Sequence, residues 1–163
     1  MNIIKVLGIG SPFGDDQAGW EVAEALKQNL SQHTDIFPFI RIESHDRPGA
    51  RLIELMKGFN TVFIIDAIKS GREIGAIHRF QKESIWEFES RLSTHDASIL
   101  QALQLASALN ELPDNIQFYG IEIDNIVLES ILSQPIENAI KNLVRQLKIE
   151  IIETVKRNTS SAL

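Results

Sequence analysis

Apolar residues recur along this chain with two periods, and the alternation between them outlines a fold. Ile3 to Ile9 is an apolar run, and Thr61 to Ile65 is a second one, β-branched and aromatic, that ends in Asp66. Both read as strands, the second as a central strand buried on both faces. Ala18, Val22, Ala23, Leu26 and Leu30 instead follow a helical spacing, in a helix that should begin near Asp15 or Asp16. Ile36 to Ile42 reads as another strand, with Pro38 placing it near a sheet edge or at its own start. Pro48-Gly49 marks a turn, and Leu52, Ile53, Leu55 and Met56 make a short helix that stops near Gly58.

The segment 67–75 holds Gly71 and Gly75 and is too short for a crossover helix, so the strand Ala76 to Phe80 is expected to return antiparallel to its predecessor. Lys82 to Arg91 fits either a short helix or a long loop. Ile99, Leu100, Leu103, Leu105 and Leu109 give a third helix, closed by Leu112-Pro113, and Ile116 to Ile123 is the last strand. Ser133-Gln134-Pro135 opens a long final helix with Ile136, Ala139, Ile140, Leu143, Leu147 and Ile151 on its apolar face. The order predicts an α/β fold: a three-layer α/β/α domain with a five-stranded, mostly parallel twisted sheet and one antiparallel strand. A single domain over 1–158 is expected, with a frayed polar tail over 159–163.

Composition narrows the function. The chain has 163 residues, 44% of them hydrophobic and 23% charged, which suits one globular domain. A net charge of −6 and no basic stripe give no support to a nucleic-acid partner. The absence of cysteine excludes disulfides, thiolate metal sites and cysteine nucleophiles. No apolar run approaches the roughly 20 residues of a membrane span, and no signal peptide is indicated, so a cytoplasmic protein is the expectation.

The candidate chemistry gathers where the parallel strands end. Gly8-Ile9-Gly10-Ser11-Pro12-Phe13-Gly14 leads from the first strand into Asp15 and Asp16. Loops leaving the carboxyl ends of such strands bind ligands, but two carboxylates at a helix N-terminus oppose a phosphate there. They suit a cation, or they cap the helix, which for either residue alone is the commoner role. Asp66 ends the third strand, and His95, in Ser93-Thr94-His95-Asp96, precedes the third helix. An Asp at a strand end often caps a turn, and a His there often sits in a first helical turn. Convergence of three such residues on one edge favours a site, because two carboxylates and an imidazole suit divalent nickel, zinc, iron or manganese. His45-Asp46 shares that edge, where it could contact a ligand but reads more readily as a solvated loop, His33 and His78 read as surface residues, and Glu122 as a structural hydrogen bonder or a site wall. Ser93 with His95 lacks the elbow of a hydrolase nucleophile, and no His-Glu-x-x-His helix is present.

Gly8-Ile9-Gly10 with Gly14-Asp15-Asp16 and Gly19, Ile64-Ile65-Asp66-Ala67 with Gly71, Ser93-Thr94-His95, and Tyr119-Gly120-Ile121-Glu122 together resemble the hydrogenase maturation protease family. These endopeptidases trim the large subunit of nickel–iron hydrogenases, and the resemblance covers nearly the whole length. It implies that Asp16, Asp66 and His95 bind the metal and carry the catalysis. It also implies that nickel arrives inside the precursor of the large subunit, near its C-terminus, and that no cofactor is permanently bound. The protein should then be a monomer when free, with that precursor as its partner. Two positions depart from the family pattern: Ser11 stands where Asn is usual, and Asp46-Arg47-Pro48-Gly49 replaces a Gly-Gly-Thr loop linked to substrate choice. Two other readings remain at this stage. One is a non-catalytic, nickel-sensing chaperone of the large subunit. The other is a nucleotide-binding α/β module, which rests on Gly8-x-Gly10 alone and is opposed by the Asp pair.

Overall fold

In a computed structural model of the chain, which describes residues 3–87, 97–125, 129 and 131–161, the apolar runs become strands at the centre of one sheet. Strands β1 (Ile4–Gly10) and β3 (Thr61–Ile68) are buried along their full length, and β5 (Asn115–Glu122) is buried beyond its first residue. The edge strands, β2 (Ile40–Asp46) and β4 (Ile77–Gln81), mix buried and exposed positions. The sheet order is β2-β1-β3-β5-β4, parallel throughout except for β4. Helices α1 (Ala18–Leu30) and α4 (Gln134–Ser161) close one face over Val6, Phe63, Ile65 and Ile121. Helices α2 (Leu52–Met56) and α3 (Ala97–Ala108) close the other over Leu7, Ile64, Ile68 and Phe118. This is the expected three-layer architecture.

Four details differ from the sequence reading. The second strand starts at Ile40, because Phe37–Phe39 form a 3-10 turn with Pro38 in it. Proline has no N–H to give a ladder and its fixed φ suits a helical turn. The flanking apolar groups Phe37 and Phe39 still pack on the core, which is why they resembled strand residues. Strand β3 runs two residues past Asp66, so Asp66 lies within the strand, opposite Gly120 of β5. Strand β4 does run antiparallel, but its partner is β5, which inserts between it and β3. The last helix continues to Ser161, into the segment expected to fray.

The chain leaves β1 through α1 to β2 on one side, then crosses through α2 to β3 on the other. Strands β1 and β3 therefore flank the point where the strand order reverses, the usual ligand crevice of an open α/β sheet.

Candidate active site at the carboxyl edge of the sheet

The end of β1 is shaped by backbone contact. A side chain at Gly19 would place its Cβ 2.1 Å from the carbonyl oxygen of Ile9 and 2.6 Å from that of Ile65. Only glycine lets α1 rest this closely on β1 and β3. At Gly10 a Cβ would lie 2.4 Å from the carbonyl oxygen of Asp16, which also accepts the N–H of Ser11 at 3.2 Å. Asp15 and Asp16 are thus held in a 3-10 turn, Gly14–Gln17, that precedes α1 and packs against β3.

The two neighbouring carboxylates have different partners. The Ser11 hydroxyl, buried in the loop, donates to Oδ2 of Asp16 at 2.5 Å. Asp15 accepts the N–H and the hydroxyl of Ser133, each at 2.8 Å, and so ties the β1–α1 loop to the segment entering α4. Helix capping was the commoner role expected for Asp15 alone; its bonds to Ser133 are instead long-range. Asp66, 8% exposed, lies on the face of β3 covered by α2 and α3, between Ile64 and Ile68. Asp16 and Asp66 therefore come from elements on either side of the β1/β3 reversal, and the turn carrying one packs on the strand carrying the other. His95 lies outside the described residues. Among the described residues no group of three or more His, Asp or Glu side chains is arranged to hold a metal ion.

Glu122 is fully buried, and its carboxylate gathers the β3–β4 connection. It accepts the N–H of Ser70 at 2.8 Å, the N–H of Arg72 at 2.9 Å and the Ser70 hydroxyl. Its backbone pairs with the same loop, taking the Gly75 N–H and giving its own N–H to Ala76, both at 2.8 Å. Of the two readings open for Glu122, the structural hydrogen bonder describes these contacts. His78, read from sequence as a surface residue, is half-buried, with Nε2 3.6 Å from Oε1 of Glu122. An edge strand beside a buried acid was the signal, and it needs the strand order to be seen.

The third wall is the end of β2. The indole N–H of Trp20 donates to the carbonyl of His45 at 2.9 Å, and the Arg47 N–H donates to Gly10 at 3.2 Å, so the 45–47 segment is pinned beside the β1–α1 loop. The His45 ring meets Glu43 at 2.9 Å. Arg47 pairs with Asp46 at 2.7 Å; that bond chiefly holds its guanidinium above the ordinary value, and the charge of Asp16 adds to the effect.

A mostly parallel α/β sheet with acidic side chains beside its reversal point carries them where open α/β sheets usually bind ligands. The particular class follows from comparison: a family model described as hydrogenase maturation protease matches residues 47–150, and the chain belongs to that family. It is accordingly an endopeptidase. Its fold is that of the hydrogenase maturating endopeptidase HybD from E. coli, with 21% identity over 93% of each chain and a TM-score of 0.77. It is also similar to the nickel–iron hydrogenase maturation protease HybD from Thermococcus kodakarensis, with 23% identity over 91% of this chain and 99% of that one and a TM-score of 0.75. A solution structure of an endopeptidase from Escherichia coli shares 22% identity over 89% of each chain, with a TM-score of 0.76. No curated protein sequence matches the chain. No helix among the described residues is long and apolar enough to cross a membrane.

Proposed function

We propose that the protein takes hold of nickel already inserted in the precursor of a nickel–iron hydrogenase large subunit, using Asp16, Asp66 and His95, and removes the C-terminal extension of that precursor. The observation that carries this reading is the placement of Asp16 and Asp66 on the two elements that flank the β1/β3 reversal. Oxygen donors joined by an imidazole suit a borderline divalent ion such as nickel. The ion belongs to the substrate, and the protein needs none of its own. Once held, a divalent cation polarises a nearby carbonyl and lowers the pKa of bound water. On the protein side, Ser11 steadies Asp16, and packing between α2, α3 and β3 shields Asp66 from solvent. Such fixed carboxylates can orient a water or accept its proton.

Incubation with nickel-loaded precursor should shorten the precursor at its C-terminus, read by mass. Metal-free precursor should stay intact. Full-length product from both would sink the proposal, and equal cutting of both would remove the nickel requirement. The segment His45 to Ala50 lies beside this edge and differs from the commoner family pattern, so we assign precursor choice to it. Exchanging it for the loop of another family member should change which precursor is processed, and an unchanged preference would rule the segment out.

A further inference from the structure

A line of charged groups on β1 and β2 ends in an imidazole at the carboxyl edge. Lys5, only 7% exposed, donates from Nζ to Oε2 of Glu43 at 2.9 Å. The other oxygen of Glu43, Oε1, lies 2.9 Å from Nε2 of His45. A carboxylate paired with a buried ammonium is ionised and can only accept, so Nε2 carries a proton and donates it to Glu43. The ring is then the tautomer whose lone pair sits on Nδ1. None of the described residues bonds to Nδ1, and the side chain keeps 20% of its surface open.

The register sets this imidazole level with the candidate site. His45 pairs with Ile9 of β1, and Gly8 pairs with Ile65 of β3, so the next position along brings Asp66 to the other side of Ile9. Ile9 and the neighbours of Asp66 belong to the core under α2 and α3, so His45 and Asp66 stand on that same face, one strand to either side of β1. At the usual strand spacing their backbones are roughly 10 Å apart, a gap that about three residues of extended chain span. The indole of Trp20 fixes the His45 backbone beside the loop that carries Asp16.

We propose that His45 is a catalytic residue of the peptide cleavage and carries a proton from the attacking water to the leaving amine. The proposal rests on the precursor-processing reading above. Hydrolysis forms a C–O bond and breaks the C–N bond; the water gives up one proton, and the departing amine gains one. Ionised carboxylates have no proton to give the amine. Nδ1 of His45 takes the proton as the water oxygen attacks, and Glu43 stabilises the resulting imidazolium through the Nε2–H bond. The same proton passes to the nitrogen as the C–N bond breaks, which returns the ring to its starting tautomer. Lys5 and Glu43 act through His45, as the groups that hold its ring and its tautomer. That role gives a reason for a lysine buried on a central strand, a rare placement.

The test is H45Q, whose amide keeps a donor for Glu43 where Nε2 stands but has no basic nitrogen. Single-turnover cleavage of nickel-loaded precursor should slow at least about a hundredfold, the lower end of what a positioned acid–base group contributes. The dissociation constant for that precursor, measured by interferometry, should change by less than about twofold, and the melting temperature should hold. H45N puts an amide where Nδ1 stands; it should be as slow, and it decides the matter if H45Q does not fold. Cleavage at the unchanged rate by a folded variant overturns the proposal. So does slower cleavage that is fully accounted for by weaker binding, or a changed choice of precursor with the rate kept, since His45 would then serve recognition. Unchanged protein that leaves nickel-loaded precursor whole overturns the precursor reading and this role of His45 with it. Cutting by unchanged protein together with full-rate cutting by the variant removes His45 alone.

Discussion

Asp15 and Asp16 are chain neighbours with the same side chain, yet they serve different regions of the molecule. Asp15 reaches across to Ser133 and joins two loops that are 118 positions apart in sequence. Asp16 is held from within its own loop, by the hydroxyl of Ser11. Glu122 repeats the role of Asp15 on the other flank, clasping the β3–β4 connection, while Asp66 repeats the placement of Asp16 beside the β1/β3 reversal. The edge thus carries acids whose bonds tie separate segments together, Asp15 and Glu122, and acids placed beside the β1/β3 reversal, Asp16 and Asp66. A carboxylate that accepts two or three hydrogen bonds from another segment acts as a brace between the two.

The most forceful way to break this division is to neutralise one acid of each kind. Asp16→Asn keeps the shape and loses the charge. Processing of nickel-loaded precursor should fall at least about a hundredfold, since even groups one shell out from a metal are worth 10–100-fold. Its melting temperature should change little, because the shape is kept and the attraction of Asp16 for the exposed Arg47 is weak. Asp15→Asn leaves one good acceptor where there were two, so roughly 1–2 kcal/mol of stability should go, with a smaller loss of cleavage per folded molecule. Both variants should be compared for nickel affinity, cleavage and melting. Greater damage to cleavage from Asp15→Asn would reverse the assignment.

The next effect is on stability. Glu122→Ala would leave the N–H groups of Ser70 and Arg72 without their buried acceptor. At about 1–3 kcal/mol for each stranded donor, the loss should be roughly 2 kcal/mol or more, near 4–8 °C in melting temperature for a chain of this size. A drop smaller than that of Asp15→Asn would show that Glu122 is not the stronger brace.

How much of this was legible beforehand depends on the range of the interaction. Strands β1, β3 and β5 were readable because burial on both faces forces continuous apolar runs, as in Val62-Phe63-Ile64-Ile65. Helices α1 and α4 were readable from apolar spacing, and the direction of β4 from a link too short for a helix. The neighbour of β4 was not, because strand order follows from where α3 returns the chain, and nothing local encodes that. Asp66 looked like a strand end because a charge interrupts the run, but Ala67 and Ile68 continue the ladder with β5. Asp15 and Asp16 were visible as a pair, and their division was not: it depends on Ser133, far along the chain, and on Ser11, whose hydroxyl was read only as part of a loop.

Ser11 sharpens the comparison from the side of Asp16. Ser11→Ala removes the hydroxyl that fixes one oxygen of that carboxylate. Nickel affinity and processing should fall together by about tenfold, within the usual range for a group that orients a metal ligand. Stability should change little. Loss of stability without loss of metal affinity would place Ser11 with Asp15 among the bracing groups.

The smallest effect belongs to an acid held tightly but away from the edge. Glu43, on β2, accepts Lys5 at 2.9 Å and meets the His45 ring at 2.9 Å. Partial burial pushes its pKa up, but the bonds from His45 and Lys5 and their charges outweigh burial and hold it below the ordinary 4.5. An acid whose pKa is lower when folded stabilises the fold above its unfolded pKa and loses that contribution as pH falls through the folded one. Glu43→Gln should therefore melt slightly below the unchanged protein at neutral pH, and the gap should start to close near pH 4.5 and vanish once the folded-state value is passed. The side chain is 38% exposed, so solvent screening limits the gap to less than about 1 kcal/mol. Melting curves for both proteins across the acid range would show it. A gap that widened on acidification would mean that the charge on Glu43 opposes folding, and that a tight pair of bonds is no guide to which acids act as braces.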